Sequence, residues 1–296
     1  MSSVELSVVM PVFNAEPYLD EAIQSILSQS FTNFEFIIID DGSTDRSSEI
    51  IEKYSKLDPR IKVISQKNRG LIYSLNLGLE LSKGRFIARM DADDVSMPKR
   101  FELQLDKMKQ DCLDLCGCHF LAINSQGQSQ WARIVSTSKS GNAIVLSSTV
   151  CCAHGSAMLR KQFLIDNNLS YGKTEFDKAE DYALWVQMFE NGASISNVDE
   201  ILFKYRIIPG SLSSNSVNYK HGMKISKKFC QKNFAVIMKA IEETGSGLNE
   251  FEQECTVFFL YKNFLKGSFK KKHSLLKHIP IRHKFLALFR VVKSCW

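Results

Sequence analysis

The chain has 296 residues, a net charge of +6 at pH 7, 44% hydrophobic and 24% charged residues, a balance that suits a folded body with a sizeable core and excludes a disordered or fibrous protein. No apolar run is long enough to span a membrane, and Met1-Ser2-Ser3-Val4-Glu5 leads straight into an apolar strand without the basic segment of a secretory leader, so a cytoplasmic protein is expected. The charge is uneven: residues 255–296 hold ten of the 38 Lys and Arg and none of the 32 Asp and Glu, leaving a slightly acidic body and a strongly basic tail.

In chain order, Leu6 to Val12 is a continuous apolar run of strand length, and Phe13-Asn14-Ala15-Glu16-Pro17 turns it into a helix carrying Leu19, Ala22, Ile23, Ile26 and Leu27. The unit recurs. Phe34 to Ile39 reads as a second strand, Asp40-Asp41-Gly42-Ser43-Thr44-Asp45 as its loop, and Ser47 to Leu57 as a helix. Ile61 to Ile64 gives a third strand, which passes through Asn68-Arg69-Gly70 into a helix with Leu71, Leu75 and Leu79. A fourth strand around Arg85-Phe86-Ile87-Ala88 ends in Arg89-Met90-Asp91-Ala92-Asp93-Asp94, with a helix expected to start near Ser96-Met97-Pro98. Strands that alternate with helices and read as continuous apolar runs predict an α/β fold with a parallel sheet, whose ligands sit beyond the carboxyl ends of the strands. Pro11 to Asn14, Asp40 to Ser43, Asn68 to Gly70 and Asp91 to Asp94 all fall there.

Three aspartates within four residues repel one another unless a cation compensates them, and oxygen ligands suit a hard ion such as Mg²⁺ or Mn²⁺. The bland alternative is an acidic loop capping the next helix. The eight cysteines, among them Cys112, Cys116 and Cys118 in one apolar segment and the adjacent Cys151 and Cys152, read as reduced, buried thiols. No second pair follows at zinc-ribbon spacing. There is neither a G-x-x-x-x-G-K-[ST] loop nor a G-x-G-x-x-G after the first strand, which removes P-loop and dinucleotide readings.

The ordered set Pro-Val-Phe-Asn, Asp-Asp-Gly-Ser-Thr-Asp, Asn-Arg-Gly with Asn76 and Gly78, Ala-Arg-Met-Asp-Ala-Asp-Asp with Pro98 and Arg100, His154-Gly155-Ser156, Glu180-Asp181-Tyr182 with Leu184-Trp185, and Tyr205-Arg206 resembles glycosyltransferase family 2, over roughly residues 4–212. The resemblance implies a GT-A fold, mostly parallel, over 1–212, with a helical, basic appendage over 213–296. It implies inverting transfer of a hexose or N-acetylhexosamine from a UDP-sugar to a saccharide acceptor, expected to be lipid-linked, in assembly of a bacterial surface polysaccharide. Asp40 or Asp41 can accept from the uracil N3–H or a ribose hydroxyl, and the resemblance favours Asp41; a turn plus helix cap, with Asp45 or Thr44 capping, is compatible with that. Pro11, Val12 and Asn14 would flank the base, and Asn68, Arg69 and Ala92 complete the nucleotide-sugar contacts. Asp93 is expected as the direct Mn²⁺ or Mg²⁺ ligand, Asp91 as ribose contact and partial ligand, Asp94 behind them and His154 as a further candidate ligand. Asp181, ahead of Glu180, is expected to take the acceptor's proton, although carboxylates at a helix start are also favoured by the dipole alone. Many relatives carry a histidine shortly after Tyr-Arg; Ile207-Ile208-Pro209-Gly210-Ser211 has none, which shifts a cationic contact to the diphosphate onto Arg206, with Ser211 as a donor, the alternative for Arg206 being an ordinary surface ion pair.

Beyond Leu212 long helical patterns run from Val217 to Glu243 and Leu248 to Lys266, followed by a basic stretch with Phe285, Leu288, Phe289 and Val292. A basic amphipathic tail suits peripheral contact with an anionic membrane surface; the competing reading is packing on the catalytic domain. Two other functions compete. A sugar-nucleotide-forming nucleotidyltransferase would need a Gly-rich basic loop after the first strand, and Pro11 to Pro17 has none. A nucleic-acid-binding protein would use the tail, whose lysines lack interleaved aromatic platforms and argue against specific recognition.

Overall fold

The computed structural model describes residues 4–176, 178–208, 216–244 and 247–264. Strands β1 (Leu6–Val12), β2 (Phe34–Asp40) and β4 (Phe86–Arg89) are buried on both faces, as their unbroken apolar runs require, and β3 (Ile61–Ser65) forms the edge beside them. They pair in parallel in the order β3-β2-β1-β4, with α1 (Glu16–Leu27), α2 (Ser47–Leu57) and α3 (Leu71–Leu81) as crossovers. Because the order reverses direction at β1, a crevice opens beyond the carboxyl ends of β1 and β4.

The second half of the sheet is mixed. β8 (Met158–Arg160) runs antiparallel to both β4 and β6 (Leu115–Ile123), and β6 pairs in parallel with the long β9 (Ile195–Arg206). β7 (Ser129–Arg133) folds back on β6. Val95–Ser96 form a two-residue strand, β5, against Lys204 and Phe203 of β9, so the helix expected near Ser96 begins only at Arg100, as α4 (Arg100–Gln110). Ladder bonds to β9 hold that segment extended, and Pro98 disfavours the helical region for Met97.

Side chains alternate across the sheet into two apolar clusters. Leu6, Val8, Met10, Phe86, Ala88 and Met90 face α1 and α4 with Leu19, Ile23 and Phe101, while Val9, Ile37, Ile39 and Ile87 face α3, α5 (Lys139–Leu146) and α7 (Glu180–Glu190). Ile225, Phe229 and Ile237 of α8 (Ser216–Thr244) and Phe259 of α9 (Glu250–Phe264) join the second cluster with Trp185. α8 and α9 therefore pack into the same core as the sheet. Among the described residues no helix is long and apolar enough to cross a membrane, and seven cysteines, from Cys112 to Cys255, are free thiols. The basic stretch from 265 onward, with its membrane expectation, lies outside the described residues, as does Ser211.

Candidate active site

The loops beyond β1, β2 and β3 are fastened to one another. Asn14, in the left-handed region at φ 51°, donates its N–H to Ser43 Oγ and accepts from the Thr44 N–H at 2.8 Å, while Ala15 and Glu16 donate to Ser47 Oγ and Asp45 Oδ2. Asparagine tolerates that conformation better than most residues. Asp40 accepts from the Ser43 N–H and the Ser48 hydroxyl, a local cap. Asp41 is a clasp: Oδ1 accepts from Gln66 Nε2 at 2.6 Å and the Arg69 N–H at 2.9 Å, and Oδ2 from the Gly70 N–H at 2.8 Å. Asp45 accepts the Ser47 N–H ahead of α2, whose N-cap position is Arg46. Asn68 and Arg69 are exposed, with the Arg69 guanidinium over the Tyr73 ring at 3.5 Å, and Ala92 is partly buried against the first cluster.

Beyond β4 the acidic loop turns under the mixed half of the sheet. Asp94 is fully buried; its Oδ1 accepts the Arg206 N–H at 2.7 Å and its Oδ2 has no partner. Burial, then the Asp91 charge, pushes Asp93 up to about 6, and burial with Asp91 and Asp93 raises Asp94 well above the usual carboxylate range. The turn at His154–Ser156 presses against this loop at Gly155. A Cβ there would lie 2.7 Å from Asp91 Oδ2, 3.0 Å from Asp94 Oδ2 and 2.6 Å from the Phe203 ring, so only glycine leaves both carboxylates their place.

Arg206 lines the cavity, and its guanidinium donors already have acceptors within the fold. Nε donates to the Asp93 carbonyl at 2.7 Å, Nη1 to the Asn124 and Ser125 carbonyls and Nη2 to Glu21 Oε2 at 2.6 Å, while the plane stacks on Tyr18. Its donors tie the acidic loop to the turn after β6 and to α1. His154 also has partners within the fold. Its Nε2 meets the Tyr171 hydroxyl at 3.0 Å, its Nδ1 lies 4.0 Å from Glu180 Oε1, and burial holds it well below the usual imidazole range, so it is neutral. Among the described residues no three His, Cys, Asp or Glu side chains form a ready metal cage. Two carboxylates suffice for an ion that completes its shell with substrate phosphate and water, and the orphaned Asp94 oxygen and the raised Asp93 show local negative charge in need of compensation; the donor set fits Mg²⁺ or Mn²⁺.

Across the crevice, Leu184, Trp185 and Met188 are completely buried and anchor α7, and Tyr182 donates to the Leu146 carbonyl. This fixes Glu180 and Asp181 in the first turn. Asp181 Oδ1 accepts from the Tyr182 N–H at 2.7 Å. Burial and then the Asp181 charge push Glu180 up to about 7, and burial raises Asp181. One cavity of about 1110 Å³ is lined by Asp91, Asp93, His154, Glu180, Asp181 and Arg206, with Phe120, Trp131 and Tyr205 as an aromatic wall. Pro11, Val12, Asn14, Asp40, Asp41, Asn68 and Arg69 lie outside its lining. One lining residue had escaped sequence reasoning: Arg89, 3% exposed, with Nη1 2.6 Å from Asp91 Oδ1. Its signal was a lone cation in an otherwise apolar strand.

The sequence model of Glycosyl transferase family 2 matches residues 7–167. An uncharacterized glycosyltransferase of Haemophilus influenzae is 34% identical, over 80% of this chain and 75% of the relative. The Escherichia coli O-antigen biosynthesis glycosyltransferase WbnJ is 32% identical, over 72% and 84%. Among solved structures, S. aureus TarS in complex with UDP-GlcNAc superposes with a TM-score of 0.62 at 20% identity, over 94% of this chain and 82% of that one. The mannosyltransferase PcManGT of Pyrobaculum calidifontis, in complex with GDP-Man and Mn²⁺, superposes with 0.61 at 14% identity, over 99% and 88%. The GT-A architecture expected from the sequence is the one found.

Proposed function

From the premise that the chain belongs to glycosyltransferase family 2, we propose that it moves a hexose or N-acetylhexosamine from a UDP-sugar to a saccharide acceptor, with inversion, in the building of a bacterial surface polysaccharide. The observation that carries this reading is the single cavity shared by the carboxylates after β4 and those opening α7. A donor's diphosphate belongs at the first and an acceptor's hydroxyl at the second, with the anomeric carbon between them, which is the arrangement in-line displacement requires. That TarS was solved with UDP-GlcNAc and WbnJ serves O-antigen biosynthesis supports the substrate classes.

Each residue then has a task. Asp93, with Asp91 beside it, would hold the divalent cation, whose bound charge would offset that developing on the leaving diphosphate. Asp94 positions the loop through the Arg206 N–H, and Arg206 does the same through the Asp93 carbonyl. Asp41 contacts the uracil: its Oδ2 accepts only one N–H in the fold, leaving a lone pair for the base N3–H. Pro11, Val12 and Asn14 flank the base, and Asn68 and Arg69 close over it. Asp181 takes the acceptor's proton, favoured by a raised basicity that burial supplies, and Glu180 is the alternative base. His154, its Nε2 at the Tyr171 hydroxyl and its ring beside Glu180, remains the further candidate ligand for the cation. A lipid-linked acceptor would be met at the membrane surface by the ten cations of residues 255–296.

The test is a screen of UDP- and GDP-sugars for hydrolysis and thermal stabilisation, with Mn²⁺ and with excess chelator. UDP-sugars acting only with the metal, and loss of that response in Asp93→Ala, are the expected results. No response to any nucleotide sugar, or full activity in chelator, would overturn the reading.

A further inference from the structure

Arg89 is a buried charge in contact with one carboxylate, and two of its nitrogens find no hydrogen-bond acceptor. Strand alternation turns it away from Ala88 and Met90, which belong to the first cluster, and onto the face of Ile87, toward α7. There it lines the cavity between Asp91 and the pair Glu180 and Asp181. Its charge acts on Asp93, Asp94, Glu180 and Asp181 as well as on Asp91. Neither Nε nor Nη1 has a hydrogen-bond acceptor; the 2.6 Å approach of Asp91 Oδ1 to Nη1 is a charge contact that lies off the N–H direction. A guanidinium has five donors in a rigid fork, and burying them without acceptors is costly, so this position is built for an acceptor that arrives with a ligand.

We propose that Arg89 holds the transferred sugar, donating to ring hydroxyl oxygens of a neutral pyranose. This rests on the nucleotide-sugar reading above and adds to it the sugar class and the residue that grips it. Location selects the sugar rather than the nucleotide, since Arg89 touches Asp91, assigned to the diphosphate side, while its charge also reaches Glu180 and Asp181, assigned to the acceptor side. Charge selects a neutral sugar: Asp91, Asp93, Asp94, Glu180 and Asp181 surround this one guanidinium, and a uronate would add another carboxylate to that excess. The fork suits two adjacent oxygens.

Binding of UDP, UDP-glucose, UDP-galactose, UDP-GlcNAc and UDP-glucuronate to the full chain, measured by titration calorimetry at fixed Mn²⁺, tests this. In the wild type at least one neutral UDP-sugar should bind more tightly than UDP, and UDP-glucuronate more weakly than that sugar. Arg89→Met should erase the sugar's advantage, a loss of about tenfold or more as for a charged hydrogen bond, while UDP affinity changes less than about threefold. Arg89→Lys keeps the charge beside Asp91 but not the fork, so it should lose part of the advantage; it also serves if the Met variant fails to fold by circular dichroism. Equal weakening of UDP and UDP-sugars, or no change in either, would reduce Arg89 to a counter-ion and overturn the proposal. Tight binding of UDP-glucuronate by the wild type would overturn the sugar class. A wild type that binds no UDP-sugar would refute the donor reading itself, visibly before any variant is made.

Discussion

Replacing Glu180 by Gln should stabilise the ligand-free protein above neutrality, although it removes a charge from the site. Burial and Asp181 lift this carboxyl from an ordinary 4.5 to about 7, so between those values the folded protein holds a proton that the unfolded chain has released. Stability therefore falls as pH rises through that window, and above about 7 the whole penalty is in force. At about 1.4 kcal/mol per pH unit the ceiling is about 3 kcal/mol, and the side chain, 16% exposed, leaves screening only a modest reduction. Gln has the same shape and no proton to lose. Thermal unfolding of metal-free protein at low salt should show the two proteins alike near pH 4.5 and the variant ahead at pH 8, by up to about 6 °C at about 2 °C per kcal/mol. Wild-type and variant melting points running parallel from pH 5 to 8, or a variant less stable at pH 8, would refute the argument that this carboxylate is held against its own solvation.

Asp181→Asn should keep UDP-sugar affinity within about threefold and lower kcat by about 10²–10⁴, because only proton acceptance is disabled; an unchanged kcat beside an inactive Glu180→Gln would transfer the base to Glu180. Gly155→Ala should cost about 1–3 kcal/mol and most of the activity, since its Cβ must displace Asp91, Asp94 or Phe203; wild-type melting and turnover would contradict the close approach. Arg206→Gln should lower kcat and the melting point together by freeing the Asp93 carbonyl, with UDP affinity lost as well if the guanidinium does reach the diphosphate. Trp185→Ala should cost about 3–5 kcal/mol in chemical denaturation, as expected for a completely buried indole, and a loss under 1 kcal/mol would mean that α7 is anchored otherwise.

The first half of the fold was legible because its forces are local. Each of β1, β2 and β4 announces itself by an apolar run, each crossover helix by its period, and the polar stretches between them must then fall on one edge of the sheet. The acidic loop and the pair opening α7 were found by the same logic. The second half was hidden because β6 and β9 satisfy each other from distant positions, β8 is three residues long, and β7, mostly exposed, shows no alternation to read. Two side chains kept two readings each for the same reason. Whether Arg206 reaches a ligand or a backbone carbonyl depends on Asp93, and whether His154 can ligate a metal depends on Tyr171; neither partner is near in sequence. Arg89 was passed over because, read along the chain, it looks like the ordinary polar end of a strand.

The hydrogen bond from the Arg206 N–H to Asp94 joins residues 112 apart in the chain. As the polypeptide leaves the ribosome, β1 to β4 can pair early, but the acidic loop that follows them must wait for β9 to be synthesised and docked before its geometry is set. Until then Asp91 has its contact with Arg89, while Asp94 lacks the N–H that fixes it. A newly made N-terminal half would thus carry much of the sheet and none of the precision, and competence would arrive late, in one step with the closing of β5 onto β9. The same coupling makes the loop a reporter: a probe placed beside Asp94 should sense the docking of the last strand rather than the collapse of the first.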